Sequence, residues 1–510
     1  MPKKINMEDM EKIYDQNPNL SKRLPWTDYN TEHKLFLLED KKTLATGFHI
    51  IPIACEAKPS EMMQAISTAL ADALKNSIPC EKDNPWILQF FTQRQSELSD
   101  VYHKIENSCK KYKDTKFTQA YLKTIKQHLD YVSNPEGLFF DQTVTQQIFK
   151  GGQLEVRAFL YRKIRDDKNA PDRKNLLDEI LKVSRKFSDQ LISCGLQVNI
   201  LTGADFYNWM IHWFNPKLKK IPNEFNQNKK PYGWDLTENL FFKTPTSFED
   251  GWVFDDVLHK VITVQHITVT PEIGHISAER KRAVSDKVFN LIDHLPEGSI
   301  LSQSVVFQSP SEVELHLKTI HDSAVGHHAF AMKVKSEIET AFEEMANGNP
   351  LFPFVMTVYI QGKDIAELKS RESSIEVLFN SNGFKVIGDC ELFPIDAYLR
   401  YLPMCYDFHF DQKNMYRSNY VLLSDIVNLL PFYGRSQGTE NPGFIAFNRG
   451  GEPWFYEFYK DRSKNAHMLL LGETGTGKSN FSRTKSLSRL GNYFCRKFLE
   501  ETFVFNFLWI

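Results

Sequence analysis

The feature that most constrains this chain is the segment Gly472-Glu-Thr-Gly-Thr-Gly-Lys-Ser479, near its C-terminal end. It fits the spacing G-x-x-x-x-G-K-[ST], in which backbone NH groups surround the phosphates of a nucleotide. Gly472, Gly475 and Gly477 can adopt positive φ, so the main chain can close around a polyanion without a Cβ in the way. The apolar run His467 to Leu471 precedes the loop, as a buried parallel strand would. The pattern predicts a strand, a phosphate-binding loop and a helix.

The chemistry of the loop follows from its residue types. Lys478 is predicted to reach the β- and γ-phosphates as the catalytic cation, and the Ser479 hydroxyl to join the metal shell of Mg²⁺. The helix that follows would turn its positive end toward the nucleotide. The alternative is a Gly/Thr-rich surface turn that fits by chance. The predicted cofactor-binding residues are Gly472, Glu473, Thr474, Gly475, Thr476, Gly477, Lys478, Ser479 and Asn480.

Length and charge bound the rest. A chain of 510 residues has room for two to four domains, and its composition is that of a globular protein. The net charge of −2 gives no global reason to expect nucleic acid or an anionic membrane as a partner. The N-terminus lacks the apolar core of a signal peptide, and no apolar run approaches the roughly 20 residues of a membrane-spanning helix. We therefore expect a cytoplasmic protein that contacts membranes only through partners.

The cysteines fit the same compartment. They show no C-x-x-C pair and no histidine at zinc-like spacing. We expect buried thiols in a reducing environment. The seven are Cys55, Cys80, Cys109, Cys194, Cys390, Cys405 and Cys495.

The region before the loop reads as α+β, with one pattern occurring twice. Leu154 to Ile164 alternates as a half-buried strand, a helix follows to a left-handed cap at Gly195, and Leu196 to Ile200 is a second strand. The same order recurs in strand Phe354 to Ile360, a helix from Asp364 through Leu378, and strand Phe384 to Ile387. We interpret this as a possible duplication of a β-α-β unit. The alternative is that strand, helix and strand in this order are simply common.

Further elements can be placed by pattern. Leu35 to Leu38 and Phe48 to Ile51 are predicted to form a hairpin, and a helix capped by Ser60 runs to a stop at Pro79. Trp86 to Phe91 is predicted to be a strand, Gln95 to His128 an exposed helical arm, and Trp252 to Val269 another hairpin. The predicted domains are a tail at 1–30, an α+β subdomain at 31–215, a loop at 216–250, a second α+β subdomain at 251–430 and an incomplete α/β P-loop domain at 431–510. The Gly, Asn and Pro of Pro431 to Arg449 suggest a linker or the margin of an active site.

Other candidate sites are weaker. A basic stretch next to Trp213, Phe214 and Phe225 could track single-stranded nucleic acid, although a solvated loop is the simpler interpretation. It contains Lys217, Lys219, Lys220, Lys229 and Lys230. The histidines His316, His321, His327 and His328 lack the spacing of a helical zinc site, and Glu343-Glu344 reads as an exposed helix face.

Several segments in this order resemble the TraC-type ATPases of conjugative and type IV secretion systems. These segments are Leu35-Phe-Leu-Leu-Glu-Asp40, Asn428-Leu-Leu-Pro-Phe432, Gly438-Thr-Glu-Asn-Pro442, Asn448-Arg-Gly-Gly451 and Asn465 to Ser479. The resemblance implies that the phosphate loop binds ATP with Mg²⁺. It also implies an N-terminal domain that docks on other type IV secretion and pilus assembly proteins at the inner membrane. A RecA-like ATPase domain that assembles into hexamers would then drive pilus biogenesis and substrate transfer, without direct binding of nucleic acid.

The chain departs from that family after the loop. Residues 480–510 contain no apolar strand closed by acids, since Glu500 and Glu501 precede the apolar run instead of ending it. We expect a truncated motor domain that has lost the Walker-B acid and hydrolyses ATP weakly or not at all. A disrupted copy of a longer gene would explain this. Two other functions stay open: a DNA-translocating or helicase-like P-loop motor, and a docking scaffold whose phosphate loop is vestigial.

Overall fold

The computed structural model describes residues 20–461. Within that range it leaves out residues 41, 143, 165–172, 219–235, 238–239, 282–286, 325–328, 389–390, 392, 440 and 458–459. The predicted phosphate loop therefore lies outside the described residues. None of the helices in the described part of the chain is long and apolar enough to cross a membrane.

The strands, in chain order, are β1 Trp26–Asn30, β2 Leu35–Leu38, β3 Leu44–Ile51, β4 Ile53–Ala54, β5 Trp86–Gln95, β6 Phe139–Phe140, β7 Ile148–Phe149, β8 Gln153–Tyr161, β9 Gln197–Ile200, β10 Thr246–Phe248, β11 Gly251–Phe254, β12 Val257–Ile267, β13 Arg280–Lys281, β14 Val288–Phe289, β15 Ile300–Phe307, β16 Leu351–Gly362, β17 Phe384–Val386, β18 Asn419–Leu422, β19 Tyr433–Gly434, β20 Phe444–Phe447 and β21 Pro453–Tyr456. The α-helices are α1 Ser60–Ser77, α2 Ser99–Ser108, α3 Lys116–Val132, α4 Arg173–Ser193, α5 Gly203–Phe214, α6 Pro310–Ser323, α7 Ala329–Ala346, α8 Ile365–Ser381, α9 Pro394–Arg400, α10 Phe408–Phe410 and α11 Leu423–Leu429. Short 3₁₀ turns lie at Leu20–Arg23, Lys110–Tyr112 and Ile292–His294, and a π turn at Asp411–Met415.

One large antiparallel sheet organises the molecule. Its strand order is β1-β2-β3-β8-β5-β15-β16-β12-β11-β10, with β9 beside β3, β17 beside β12 and β18 beside β16. Strands from both predicted α+β subdomains pair across its centre, where β5 and β15 run antiparallel from Trp86 opposite Phe307 to Gln93 opposite Ile300. The α+β prediction for this region is confirmed as a mixed fold built on an antiparallel sheet.

The first half of the sheet is a split β-α-β arrangement. In chain order it comprises β3, α1, β5, β8, α4 and β9, and in space the strands lie in the order β9-β3-β8-β5. This is the order of a ferredoxin-like unit, in which strands that are parallel and joined by a helix have another strand between them. Here β3 separates β8 from β9. We call these elements unit 1.

The second half repeats that plan. Strands β12, β15, β16 and β17 lie in the order β17-β12-β16-β15, and α8 connects β16 to β17. We call these elements unit 2. Its described residues between β12 and β15 contain no α-helix, whereas unit 1 has α1 at the matching place. The duplicated topology matches the hypothesis drawn from sequence, with a strand inserted inside each β-α-β pair.

Both faces of the sheet are covered. On one face α1, α4, α8 and α11 bury the larger core, which includes Leu74, Phe187 and Phe379. On the other face α5, α9 and the turns after α9 form an aromatic layer containing Trp26 and Phe206, whose rings meet edge to face at 5.0 Å. Double coverage explains why β8 is buried along nearly its whole length. The prediction of a half-buried strand at Leu154 to Ile164 was wrong for this reason.

An arm projects between the second and third strands of each unit. In unit 1 the arm is α2, the Lys110–Tyr112 turn and α3, with a small core of its own that includes Ile105 and Leu129. In unit 2 it is α6 and α7, held by Val313 and Ile338. The predicted helical arm at Gln95 to His128 is therefore present, broken into two helices.

Local predictions were mostly confirmed. The β2–β3 hairpin forms, and β11 and β12 are joined by a turn in which Asp255 and Asp256 adopt positive φ. Asp364 caps α8 by accepting a hydrogen bond from the Glu367 amide at 2.8 Å. The prediction that Ser60 caps the helix was wrong, because Ser60 is the first residue of α1 and no side chain caps that helix.

Candidate functional site

The predicted nucleotide contacts, Gly472 to Asn480, lie outside the described residues, so the loop geometry stays a prediction. The structure does describe the segment that leads to the loop. We call Pro431 to Asp461 the junction segment. Its Gly, Asn and Pro content suggested a linker or the margin of an active site, and the structure shows Phe432, Tyr433 and Arg435 buried there.

Backbone pairing holds the start of the junction segment against unit 1. Strand β19 runs parallel to β4, the short strand that directly follows β3. The Ile53 amide donates to the Phe432 carbonyl at 2.8 Å, and the Cys55 amide to the Gly434 carbonyl at 3.0 Å. The Phe432 ring meets Phe90 of β5 edge to face at 5.4 Å. The segment therefore starts as part of the fold's core.

The next residue, Arg435, is the centre of a buried charge network. Its Nε donates to Glu279 at 2.6 Å, its Nη2 to Asp293, and its Nη1 lies 3.8 Å from Glu452. Arg94 of β5 donates to the other oxygen of Asp293 at 2.7 Å. The network thus ties a strand of unit 1 and the segment between β12 and β15 to the junction segment.

Mutual attraction outweighs burial in most of this network. Burial alone would raise the pKa of Asp293, but the guanidiniums of Arg435 and Arg94 hold it below its ordinary value. Burial would lower the pKa of Arg435, yet its three carboxylate partners raise it well above the usual range. At Glu452 burial prevails over Arg435 and raises the pKa. The arrangement is a structural clamp, since each charge has a partner of opposite sign.

A tight turn at Asn448 to Glu452 shapes the clamp. The Asn448 Oδ1 accepts hydrogen bonds from the amides of Gly450 and Glu452, each at 3.0 Å. Gly451 adopts φ +79°, and a Cβ there would collide with the Lys150 carbonyl. A Cβ at Gly450 would meet the Arg435 guanidinium. The sequence Asn448-Arg-Gly-Gly451 is thus explained by close packing.

The far end of the junction segment is fixed by Asp461. Its carboxylate accepts from the Thr439 hydroxyl at 2.6 Å, the Asn441 amide at 2.5 Å and the Glu457 backbone NH at 2.6 Å. Burial would raise the pKa of Asp461, but these hydrogen bonds lower it. Gly438, at φ +76°, faces the backbone of Phe455 too closely for any side chain. Thr439 and Asn441 therefore hold the end of the junction segment against its middle.

The hairpin β20–β21 connects the junction segment to the arm of unit 1. Phe447 and Phe455 are buried in the same cluster as Ile105 and Leu129 of that arm. The Lys104 ammonium lies over the Phe455 ring, 4.8 Å from its centroid. A displacement of the hairpin would therefore be transmitted to the arm by direct contact.

A polar cleft of about 520 Å³ lies beside this hairpin. The end of β3, strand β9 and residues 435–439 form its walls, with Lys104 and Asp100 from the arm. Its backbone amides, hydroxyls and side-chain amides can accept a polar ligand or a protein segment. No group of His, Cys, Asp and Glu suited to hold a metal ion occurs among the described residues.

The described residues of the other candidate sites, the basic stretch and the histidine cluster, make structural contacts. Trp213 and Phe214 are buried in the aromatic layer, so neither offers a stacking surface for nucleic acid. Lys217 is exposed and lies 3.7 Å from Asp256, while the other four lysines and Phe225 lie outside the described residues. His316 stacks on Tyr420 at 4.8 Å. His327 and His328 also lie outside the described residues.

The cysteine prediction needs correction. The five described cysteines are free thiols, but Cys80 is exposed and the other four are only partly covered. Cys390 and Cys495 lie outside the described residues. Cys80 follows Pro79 at the end of α1, where the chain turns at the surface, so its thiol is not packed in a core.

Sequence reasoning missed the charge clamp. Arg435, Asp293 and Glu279 are far apart in the chain and match no short motif. A useful signal was available in Asn448-Arg-Gly-Gly451, because paired glycines after an Asn indicate a turn with close backbone approach. That signal identifies the turn, but not its charged partners.

Comparison with known proteins identifies the family of the part of the chain that precedes the junction segment. A search of curated proteins returned no match. The family model described as the TraC protein matches residues 20–406, which include both units and more than half of the chain. The chain therefore belongs to the TraC family of type IV secretion proteins.

Proposed function

We propose that this chain is the ATP-binding component of a type IV secretion or conjugation apparatus. It would act at the cytoplasmic side of the inner membrane, bound to other pilus assembly proteins. Membership of the TraC family supports the apparatus. The spacing of Gly472 to Ser479, beginning eleven residues after the described segment ends at Asp461, supports the nucleotide.

In this proposal residues 431–510 begin a RecA-like domain. Lys478 neutralises the β- and γ-phosphates, Ser479 binds Mg²⁺, and backbone NH groups from Gly472 to Asn480 complete the site. The two ferredoxin-like units provide the surfaces that dock on partner proteins, and the RecA-like domain energises pilus assembly and substrate transfer in the family.

The junction segment gives this proposal a mechanical route. It is fixed by β19 to unit 1, by Arg435 to the segment between β12 and β15, and by Phe447 and Phe455 to the arm of unit 1. A nucleotide-dependent movement beyond Asp461 would pull on all three attachments. The arm is the element that such a pull would move, because its own core is small.

The test is equilibrium binding of a fluorescent ATP analogue to the purified chain with Mg²⁺, alongside thermal denaturation. ATP at 100 times its Kd should stabilise the protein by about 2.7 kcal/mol. Lys478→Ala should abolish both effects. Lys460→Ala is the matched control, since Lys460 is exposed and precedes the loop. Equal binding by wild type and K478A would contradict the proposal.

A further inference from the structure

The two arms carry opposite charge. The basic arm, residues 99–132, has seven lysines against four acids, and the acidic arm, residues 310–346, has three lysines against seven acids. The chain as a whole is nearly neutral, at −2. The separation of charge is therefore a local property of two corresponding elements.

The arms also leave opposite ends of the sheet. The basic arm follows the end of β5 and the acidic arm follows the end of β15. Since β5 and β15 are antiparallel, with Trp86 opposite Phe307, the two arms emerge about one strand length apart. Each arm is too far from the other to neutralise it within one chain, because exposed charges are screened beyond about 8 Å at physiological salt.

Both surfaces also expose apolar side chains among the charges. At the tip of the basic arm every residue from Lys110 to Phe117 is exposed, including Tyr112 at 59 % and Phe117 at 42 %. On the acidic arm Leu315 is 66 % exposed and Met332 is 53 % exposed. Exposed aromatic and aliphatic side chains bordered by charge are typical of protein interfaces.

The charges at these surfaces are available for intermolecular pairing. On α7 the residues Met332, Ser336, Glu339 and Glu343 share the face turned away from the buried Ile338. Lys110, Lys116, Glu339 and Glu343 form no ion pair with any described residue. Their charges are thus not already compensated by described neighbours.

We propose that the basic arm of one chain docks on the acidic arm of a second copy of this chain. The contact is heterologous, because it joins two different surfaces. Lys110, Lys111 and Lys116 would face Glu314, Glu339 and Glu343, with Tyr112 and Phe117 covering Leu315 and Met332. The docking depends only on the arms and stands apart from the proposed binding of ATP.

Charge reversal tests this directly by sedimentation velocity of the full-length chain. K110E/K111E/K116E and E314K/E339K/E343K should each weaken self-association at least tenfold, because like charges then meet. Mixing the two variants should restore it, since each reversed arm then meets an opposite charge on the other variant. Raising the salt from 50 to 500 mM should weaken the wild-type contact.

Two further variants separate docking from folding and from net charge. K34E/K182E/K385E changes the charge equally at exposed lysines outside the arms and should leave association unchanged. Y112S/F117S should weaken association without altering any charge. Circular dichroism of each variant should match the wild type.

The result that overturns the proposal is self-association insensitive to either reversal, or no recovery on mixing. A third outcome also overturns it: the basic arm binds vesicles containing phosphatidylserine, reversal removes that binding, and no association between copies is detected. The arm would then be a membrane-surface contact.

Discussion

Units 1 and 2 share a strand order but differ in the segment that connects their first and second strands. Unit 1 places α1 there, and α1 packs along α4 over the core. Unit 2 instead has the irregular segment between β12 and β15, with the short strands β13 and β14 and the 3₁₀ turn Ile292–His294. That segment contributes Glu279 and Asp293 to the clamp on Arg435. The junction segment therefore contacts unit 2 through the part of that unit that differs most from unit 1.

The arms of the two units also differ, in this case in their net charge. They occupy corresponding positions after β5 and β15, yet one is basic and the other acidic. Among the described residues, the arm of unit 1 shares its core with the hairpin β20–β21, and the arm of unit 2 does not. Shared topology thus preserves the sheet, while the insertions carry different contacts.

The largest effect is expected from Arg435→Ala, which removes the central cation of the clamp between the units and the junction segment. Glu279, Asp293 and Glu452 would lose their buried partner, at a cost of roughly 3–5 kcal/mol. Urea denaturation monitored by tryptophan fluorescence measures it. Arg449→Ala is the control, because Arg449 touches only Glu279, at 3.3 Å, within the described clamp. A loss below about 1 kcal/mol for R435A would mean that the clamp is not stabilised as a unit.

Truncations in matching helices compare the two cores. Leu191→Ala in α4 and Ile375→Ala in α8 both remove fully buried side chains and should cost about 2–5 kcal/mol. We expect the smaller loss for I375A, since α4 is also packed against α1, whereas α8 contacts mainly β12, β16 and β17. Chemical denaturation of both variants ranks them. The reverse order would show that the irregular segment supports unit 2 as rigidly as a helix.

Unit 2 should also be the more acid-sensitive half, because His259 of β12 is buried without charge. Burial lowers its pKa to about 3 from 6.5, and its Nδ1 lies 3.0 Å from the Tyr398 hydroxyl. The unfolded chain takes up this proton below pH 6.5 while the folded chain does not. Stability should therefore fall by up to about 1.4 kcal/mol per pH unit between pH 6.5 and 4.

His259→Phe removes that proton uptake and keeps an aromatic ring beside Phe254, which lies 5.0 Å from the imidazole. The free energy of unfolding should then depend less steeply on pH over the same interval. Urea titrations at pH 7 and pH 5 measure the difference. An unchanged slope would assign the acid sensitivity to other groups.

The smallest effect concerns the helices that follow β9 and β17. Thr202 caps α5 in a capping box with Asp205, whereas α9 begins at Pro394 without a side-chain cap. Thr202→Ala should cost about 1 kcal/mol. Phe393→Ala, at the corresponding position before α9, should remove no capping hydrogen bond, and thermal denaturation compares the two. Equal losses would show that capping does not distinguish these helices.

Local chemistry explains what could be predicted from the sequence. The glycine after α4 and the apolar periodicity of the strands are short-range signals, so the two β-α-β repeats were visible. The insertion of β3 and β12 inside those repeats was not. Pairing such as Phe48 with Ala158 joins residues far apart in the chain, and periodicity carries no information on partners.

The candidate site divides in the same way. Because its motif is contiguous, a phosphate loop can be predicted from the sequence, and that prediction lies outside the described residues. The clamp could not be predicted, because Arg94, Asp293 and Arg435 are ordinary charged residues until the fold brings them together. The opposite charge of the arms was also present in the sequence, but it gains meaning only once their corresponding positions are known.

The antiparallel seam between β5 and β15 has a mechanical consequence. Because the arms are attached at its opposite ends, tension between them would run along the strand axes. The backbone hydrogen bonds from Trp86–Phe307 to Gln93–Ile300 would then bear load together in shear, instead of opening one after another like a zip. A sheet with this arrangement can transmit force through its central strands β5 and β15 without loading its outer strands.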